Sequence, residues 1–365
     1  MTMSAPAAGP SPAPHPTPSG THGPAPPTVR GPISRRALLT AGGAAGLGIA
    51  LSGCIGQPGA PSGTSPDHPR TEAPRPLRLT DGALLRGANI AVKSSYYPRP
   101  WHNLWLRWDW DDWIKWQVDL AATLGVNCIR LIGAVTPVAE GAMTTARYHA
   151  QWAQLLDYLT AKGMSAYPCP GDLRHWGATT LPQAVKHYRM LGALFDRYPN
   201  VVGIDVSNEA QFGTEDGHGA TDVRSVMVAL TKALRSSTST ALAHSVSVGS
   251  ALDLAQPSLG QFAGLSDFLD LHLYYTPSAT DLRPLSRQPT GDRPVVIGEF
   301  GIGIEEPSSD RTARYLAVRD LIRTDRRLVG ALAWDIAEDN FGLFDTSGRP
   351  RDDITAALTT FPLHR

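Results

Sequence analysis

The sequence predicts an α/β fold, a single (β/α)8 (TIM) barrel over residues 77–365, and three observations lead to it. Strand and helix signals alternate along the chain through eight strands, the pattern of a closed parallel barrel. The stretch that carries them is long enough for one such barrel. Two apolar strand signals, residues 201–206 and 294–297, run straight into a glutamate, in Val206-Ser207-Asn208-Glu209 and Ile297-Gly298-Glu299-Phe300-Gly301. A buried strand that ends on a carboxylate is how a parallel barrel equips its C-terminal face.

Taken in order, Asp81-Gly82 reads as a hairpin turn leading into the first barrel strand, residues 83–92. A helical pattern at 111–124 opens on acids that suit the helix dipole and closes at Gly125. The second strand is 126–132; a helix at 145–162 ends at Gly163, and 164–167 is the third strand. A helix at 181–197 stops before Pro199, and 201–206 is the fourth strand. A helix at 221–236 precedes the fifth strand at 245–248; the sixth is 268–275 and the seventh 295–297. A helix at 308–325 leads to the eighth strand, 328–334, and a last helix covers 352–359. A doubly wound open sheet is the alternative, but it wants a glycine-rich phosphate turn after its first strand, and Arg86-Gly87-Ala88-Asn89 is no such turn.

The N-terminal part reads differently. Residues 1–32 are dominated by Pro, Ala, Gly, Ser and Thr, too little apolar surface to offset chain entropy. Arg35-Arg36, an uncharged apolar run at 37–51 and the small residues before Cys54 describe an export signal, and the run is too short and Gly/Ala-rich for a comfortable transmembrane span. Leu51-Ser52-Gly53-Cys54 resembles the bacterial lipobox and Arg35-Arg36 resembles the twin-arginine signal, which implies a lipidated Cys54 at the mature N-terminus; a secreted, unlipidated form is the competitor. The division is thus 1–54 export signal, 55–76 Pro/Gly/Ser-rich flexible linker, and 77–365 barrel.

Lysine plus arginine and aspartate plus glutamate are 33 each, so charge gives no reason to expect nucleic acid as a partner. Membrane contact is expected only through the lipid anchor, and the protein is expected to be a monomer. Cys128 lies in an apolar strand pattern and reads as an inert core thiol; Cys169 is the only other cysteine beyond Cys54, and no disulfide is expected. No Cys/His spacing suggests zinc, and neither metal nor cofactor is expected.

Two strand tips carrying Glu209 and Glu299 can supply the carboxyl pair that glycoside hydrolysis needs, one to protonate the leaving oxygen and one to attack or stabilise the far side. Asn208 could hydrogen-bond a sugar hydroxyl from the same tip. The two motifs resemble the acid/base and nucleophile motifs of the retaining clan A glycoside hydrolases, most of all cellulase-type family 5. The likeness extends over most of 77–365: Arg86-Gly87-Ala88-Asn89 in the first strand, Arg130 at the end of the second, His272 and Tyr274 as His-x-Tyr in the sixth, Trp334 closing the eighth, and Asn340-Phe341-Gly342-Leu343-Phe344-Asp345 with Gly348-Arg349-Pro350 after it.

The resemblance implies that Glu209 is the acid/base and Glu299 the nucleophile. It implies that Arg130 and Tyr274 bond Glu299, that His272 lies between the carboxylates, and that Trp334 forms a floor under the reacting sugar, a poly- or oligosaccharide of β-glucan or β-mannan type. The sequence departs from the family twice. Tyr167-Pro168-Cys169-Pro170 stands where a histidine usually ends strand three, with Asp172 and His175 only further along, and Ala210 replaces the proline that commonly follows Asn-Glu. Trp101, Trp105, Trp108 and Trp110, with Tyr96 and Tyr97 before them, crowd the loop after strand one, either as sugar platforms or as loop packing. Two other functions share these residues: a non-catalytic carbohydrate-binding lipoprotein, and a transglycosylase acting on cell-envelope glycan.

Overall fold

The computed structural model describes residues 73–216, 220–249, 262, 264–274 and 292–365, all within the unit Pro66–Arg365. The export signal, Cys54 and residues 55–72 of the linker lie outside the described residues, as does Tyr275 of the sixth predicted strand.

Among the described residues nine strands form: β1 (Leu85–Asn89), β2 (Cys128–Ile132), β3 (Ser165–Cys169), β4 (Ile204–Asp205), β5 (His244–Ser245), β6 (Val248–Gly249), β7 (Leu269–Leu273), β8 (Val295–Phe300) and β9 (Leu328–Ala333). Seven of them make one parallel sheet in the order β3-β2-β1-β9-β8-β7-β6, and β4 pairs in parallel with β5. A parallel bridge between Ala166 and Val201 joins the approach of β4 to β3. The predicted fifth strand is broken in two because Val246 and Ser247 turn their amides to side chains, Ser266 and Asp205, instead of to a neighbouring strand.

Eight buried side chains, one from each predicted strand or its immediate approach, meet in a single small cluster: Leu85, Cys128, Tyr167, Val202, Ala243, Phe268, Val296 and Leu332. Side chains two apart on a strand share a face. The next such positions are polar on β2 and β7, namely Arg130, Asp270 and His272. Apolar packing at one end of the strands thus gives way to buried charge at the other. The alternate residues of the strands, such as Ile129, Leu131, Leu271 and Ile297, face outward into the larger core with the helices.

Among the described residues the longer α-helices are α1 (Pro100–Arg107), α2 (Trp116–Thr123), α3 (Thr145–Ala161), α4 (Leu181–Phe195), α5 (Ala220–Arg235), α6 (Ser308–Thr324) and α7 (Asp352–Thr359). Thr180 and Gln183 form a capping box at the start of α4.

Three further expectations change. Asp81-Gly82 is a turn, but Ala83 bridges to His364 near the C-terminus, and Leu84 and Arg365 bond Leu363 and Gly82 around it. No hairpin forms there, because Leu77 and Leu79 instead pack on the small apolar cluster at the strands' N-terminal end. The stretch read as a loop after β1 contains α1, with Pro100 in its first turn, where proline suits a helix, and with Trp101, Leu104 and Trp105 on one buried face. The helix predicted at 111–124 begins as a π-helical turn, Trp110–Lys115, in which both Trp113 and Ile114 donate to the Asp109 carbonyl. Cys128 and Cys169 are free and buried, and burial pushes both thiols up.

Phe268 belongs to the inner cluster and its ring lies 5.9 Å from that of Tyr167. Phe268→Ala is expected to cost about 3–5 kcal/mol in urea unfolding, the range for a large aromatic lost from a packed core. A loss under about 1 kcal/mol would show that this layer is not a packed core.

Candidate active site

The C-terminal ends of β1, β2, β4, β7 and β8 converge on one polar cluster. Its centre is Arg130 on β2, fully buried, whose Nη1 donates to Glu299 Oε1 at 2.8 Å and to Asn89 Oδ1 at 2.9 Å. Its Nη2 donates to Asp205 Oδ2 at 2.7 Å and to Asn208 Oδ1 at 2.8 Å. Burial alone disfavours the guanidinium charge, but Asp205 and Glu299 outweigh that and hold it firmly protonated.

Glu299 ends β8 completely buried, and its second oxygen accepts from the Tyr274 hydroxyl. The glycine before it is dictated by space: a Cβ on Gly298 would stand 2.2 Å from Asp270 Oδ1, which instead accepts from the Gly298 amide at 3.0 Å.

Glu209 follows β4 with φ of 41°, the left-handed region that L side chains seldom occupy. Ser247 secures the corner: its Oγ accepts from the Glu209 amide at 2.9 Å and donates to the Ser207 carbonyl at 3.1 Å. Gly249 leaves space for the carboxyl, since a Cβ there would lie 2.6 Å from Glu209 Oε1.

His272 on β7 stands between the two glutamates, with Nδ1 3.1 Å from Glu209 Oε1 and 3.4 Å from Glu299 Oε2. A carboxylate oxygen of each glutamate and a His272 nitrogen all lie within 4.8 Å of one another. Burial works against a charged imidazole, but the Glu299 and Glu209 carboxylates outweigh it and raise His272 above the usual histidine value. Beneath it, Nε2 faces Asp270 Oδ1 at 3.8 Å. Burial first, then the charge of Asp205, lifts the Asp270 carboxyl to about 7, against the opposing pull of His272, Arg130 and the Tyr167 hydroxyl.

Asn208 is buried and engaged at both ends of its amide, accepting from Arg130 and donating to Asp172 Oδ2 at 3.0 Å. Trp334 closes β9 and meets the edge of Trp101 at a ring separation of 6.2 Å. Trp105, by contrast, is wholly buried, donates its Nε1 to the Ile132 carbonyl, and stacks on Trp108, which stacks in turn on Trp110 against Tyr158 of α3. For Trp105, Trp108 and Trp110 the packing alternative therefore holds, and Trp101 alone of the four has a recorded ring contact with Trp334.

Several groups that sequence reasoning passed over belong to the cluster, Asp205, Asp270 and Arg174 among them. Asp270 was legible in principle, since Asp270, His272 and Tyr274 alternate along one strand and so share its inner face. Arg174 was not: its Nη1 reaches Glu209 Oε2 at 3.1 Å only because the loop after β3 folds over β4. The carboxylates could in geometry serve a cation, in the sets Glu209, His272, Glu299 and Asp205, Asp270, His272. Guanidinium groups already face Glu299, Asp205 and Glu209.

No protein-family model matches the chain, and no curated protein sequence matches it. Solved structures are similar in fold. A GH5_18 protein from Streptomyces cattleya in complex with Manβ1-4GlcNAc aligns at 16% identity and TM-score 0.59, over 76% of this chain and 83% of that one. An exo-β-1,4-mannosidase from Opitutaceae bacterium strain TAV5 aligns at 17% identity and TM-score 0.58, over 77% of this chain and 60% of that one, which is therefore spanned only in part. A family 1 β-glucosidase from Thermotoga maritima in complex with isofagomine lactam aligns at 12% identity and TM-score 0.57, over 78% and 98%. Likeness at these identities shows the fold alone.

An acid whose folded value is raised to about 7 binds its proton more tightly than in the unfolded chain, where a carboxyl titrates near ~4. Its contribution to stability is present below the unfolded value and is lost as pH rises through the folded one. Asp270→Asn keeps a neutral, hydrogen-bonding group against Tyr167 and Gly298 and removes that loss. Its melting temperature relative to the unsubstituted protein should therefore be higher at pH 8 than at pH 5; thermal melts with an equal or smaller relative value at pH 8 would contradict a raised Asp270.

Proposed function

We propose that the chain is a retaining β-glycosidase on a closed (β/α)8 barrel. The observation that carries the reading is the pair Glu209 and Glu299, whose nearest oxygens lie within 4.8 Å across His272. Retaining enzymes hold their carboxyls ~5–5.5 Å apart, whereas inverting ones leave ~6.5–9.5 Å for a water. The closed barrel is supported by the Ala166–Val201 bridge, the β4–β5 pair and the inner cluster drawn from all eight strands.

In this mechanism Glu299, paired with Arg130 and oriented by Tyr274, attacks the anomeric carbon. As the C–O bond breaks, Glu209 gives its proton to the leaving oxygen. A water then attacks the glycosyl-enzyme, losing its proton to Glu209, and Glu299 departs as carboxylate. The substrate class is a β-glucan or β-mannan, a choice supported by what the similar mannosidase and glucosidase structures are named for. An intact carboxyl pair with its charge partners speaks against a purely binding role. The exported form, anchored through Cys54 behind the 55–76 linker, belongs to the same proposal on sequence alone.

Glu209→Gln and Glu299→Gln should each lower turnover of aryl β-glucosides or β-mannosides by at least ~10³-fold, because each removes the acid/base or the nucleophile. An activated 2-deoxy-2-fluoro β-glycoside should add one glycosyl unit to Glu299 by peptide mass spectrometry. Near-normal turnover in either variant, or a label elsewhere, overturns the assignment.

A further inference from the structure

We propose that Arg174, held in place by Asp172, is a positioning residue for proton transfer between Glu209 and the leaving group. The inference rests on the glycosidase reading above and adds residues from the end of β3, one of the two places where the sequence departs from the family it resembles. After β3 the chain turns at Asp172, whose Oδ1 accepts from the Arg174 amide at 3.0 Å, and the fully buried Leu173 pins the turn to the core. The Asn208 amide donates to the Gly171 carbonyl at 3.0 Å, which ties the turn to the backbone beside Glu209.

Within the turn, Arg174 Nε and Nη2 donate to the two oxygens of Asp172 at 3.2 and 3.0 Å. That fork fixes the guanidinium plane and leaves Nη1 directed at Glu209 Oε2, 3.1 Å away, with the group 5.8 Å over the Phe212 ring. Asp172 is a dependable anchor. Its burial opposes ionisation, but Arg174, His175 and the Asn208 amide hold its carboxyl below the ordinary aspartate value.

These contacts close a ring. Arg130 bonds Asn208, Asn208 bonds Asp172, Asp172 holds Arg174, Arg174 meets Glu209, and His272 links Glu209 to Glu299, which returns to Arg130. Each oxygen of Glu209 thus touches a different cation or imidazole, His272 on Oε1 and Arg174 on Oε2. Removing Arg174 leaves Glu299 and its partners intact and loosens only the carboxyl that must meet the leaving oxygen. A phenolate needs that proton as its C–O bond breaks, whereas 2,4-dinitrophenolate departs without it.

The experiment compares phenyl and 2,4-dinitrophenyl β-glycosides of the same sugar, glucose and mannose each being tried. With Arg174→Gln, kcat/KM on the phenyl substrate should fall by roughly 10–10²-fold and on the dinitrophenyl substrate by less than about 3-fold, the share general acid catalysis carries. Arg174→Lys, which keeps one donor, should recover part of the phenyl rate. Asp172→Asn releases the fork from its other end and reads the same ratio should Arg174→Gln fold poorly. Equal losses on both substrates, or none on either, overturn the positioning role while leaving the glycosidase reading intact. A parent protein that turns over neither substrate and takes no 2-fluoro label brings down that reading and this inference with it.

Discussion

The buried guanidinium of Arg130 is the constraint on which the site depends. An unpaired charge at that depth costs several kcal/mol, and Arg130 meets that cost through its two terminal nitrogens, its Nε having no partner among the described residues. Four acceptors from three strands and their ends converge on the guanidinium: Asn89 of β1, Asp205 of β4, Asn208 just beyond β4, and Glu299 of β8. Each is thereby registered against the same planar fork. The strand ends cannot shift independently without stranding a charge, so one residue supplies both the geometry of Glu299 and its positive partner charge.

Space is arranged as strictly as charge. Glycines stand where a side chain would strike a carboxyl, Gly298 against Asp270 and Gly249 against Glu209. The Gly in Gly298-Glu299 is therefore not a flexible link to the carboxylate; it admits Asp270 beneath the site. The left-handed backbone at Glu209 has a similar logic. A non-glycine residue there costs ~1–2 kcal/mol, offset by the Ser247 bonds that hold the corner and aim the side chain at His272.

Much of this was legible along the chain. Strand-length apolar runs ending on Glu209 and Glu299, and the alternation that puts His272 and Tyr274 on one face, follow from local pattern. Local pattern failed where the partner is distant or the element is short. Asp81-Gly82 looks like a hairpin turn until the C-terminal residues claim Ala83. The helix Pro100–Arg107 hides in a tryptophan-rich stretch because aromatic bulk masks its helical spacing. Arg174 carries no sequence signal, since it meets Glu209 only after β3 and β4 are laid side by side.

The tryptophans show why composition alone misplaces a binding surface. Four in ten residues suggest a row of sugar platforms, yet three of them stack on one another and on Tyr158 as packing. Trp105 goes inward, bonding the end of β2, and its stack carries Trp108 and Trp110 away toward Tyr158 of α3. Their indoles serve as packing that ties the first loop to the third helix, with Trp108 Nε1 bonded to Gln154. Trp101, one helical turn earlier, meets Trp334 edge-on instead. An edge-to-face pair fixes the tilt of both rings, because the positive edge of one indole seeks the negative face of the other. Trp101 therefore supports the orientation of Trp334, and the first loop bears on the site through that one contact.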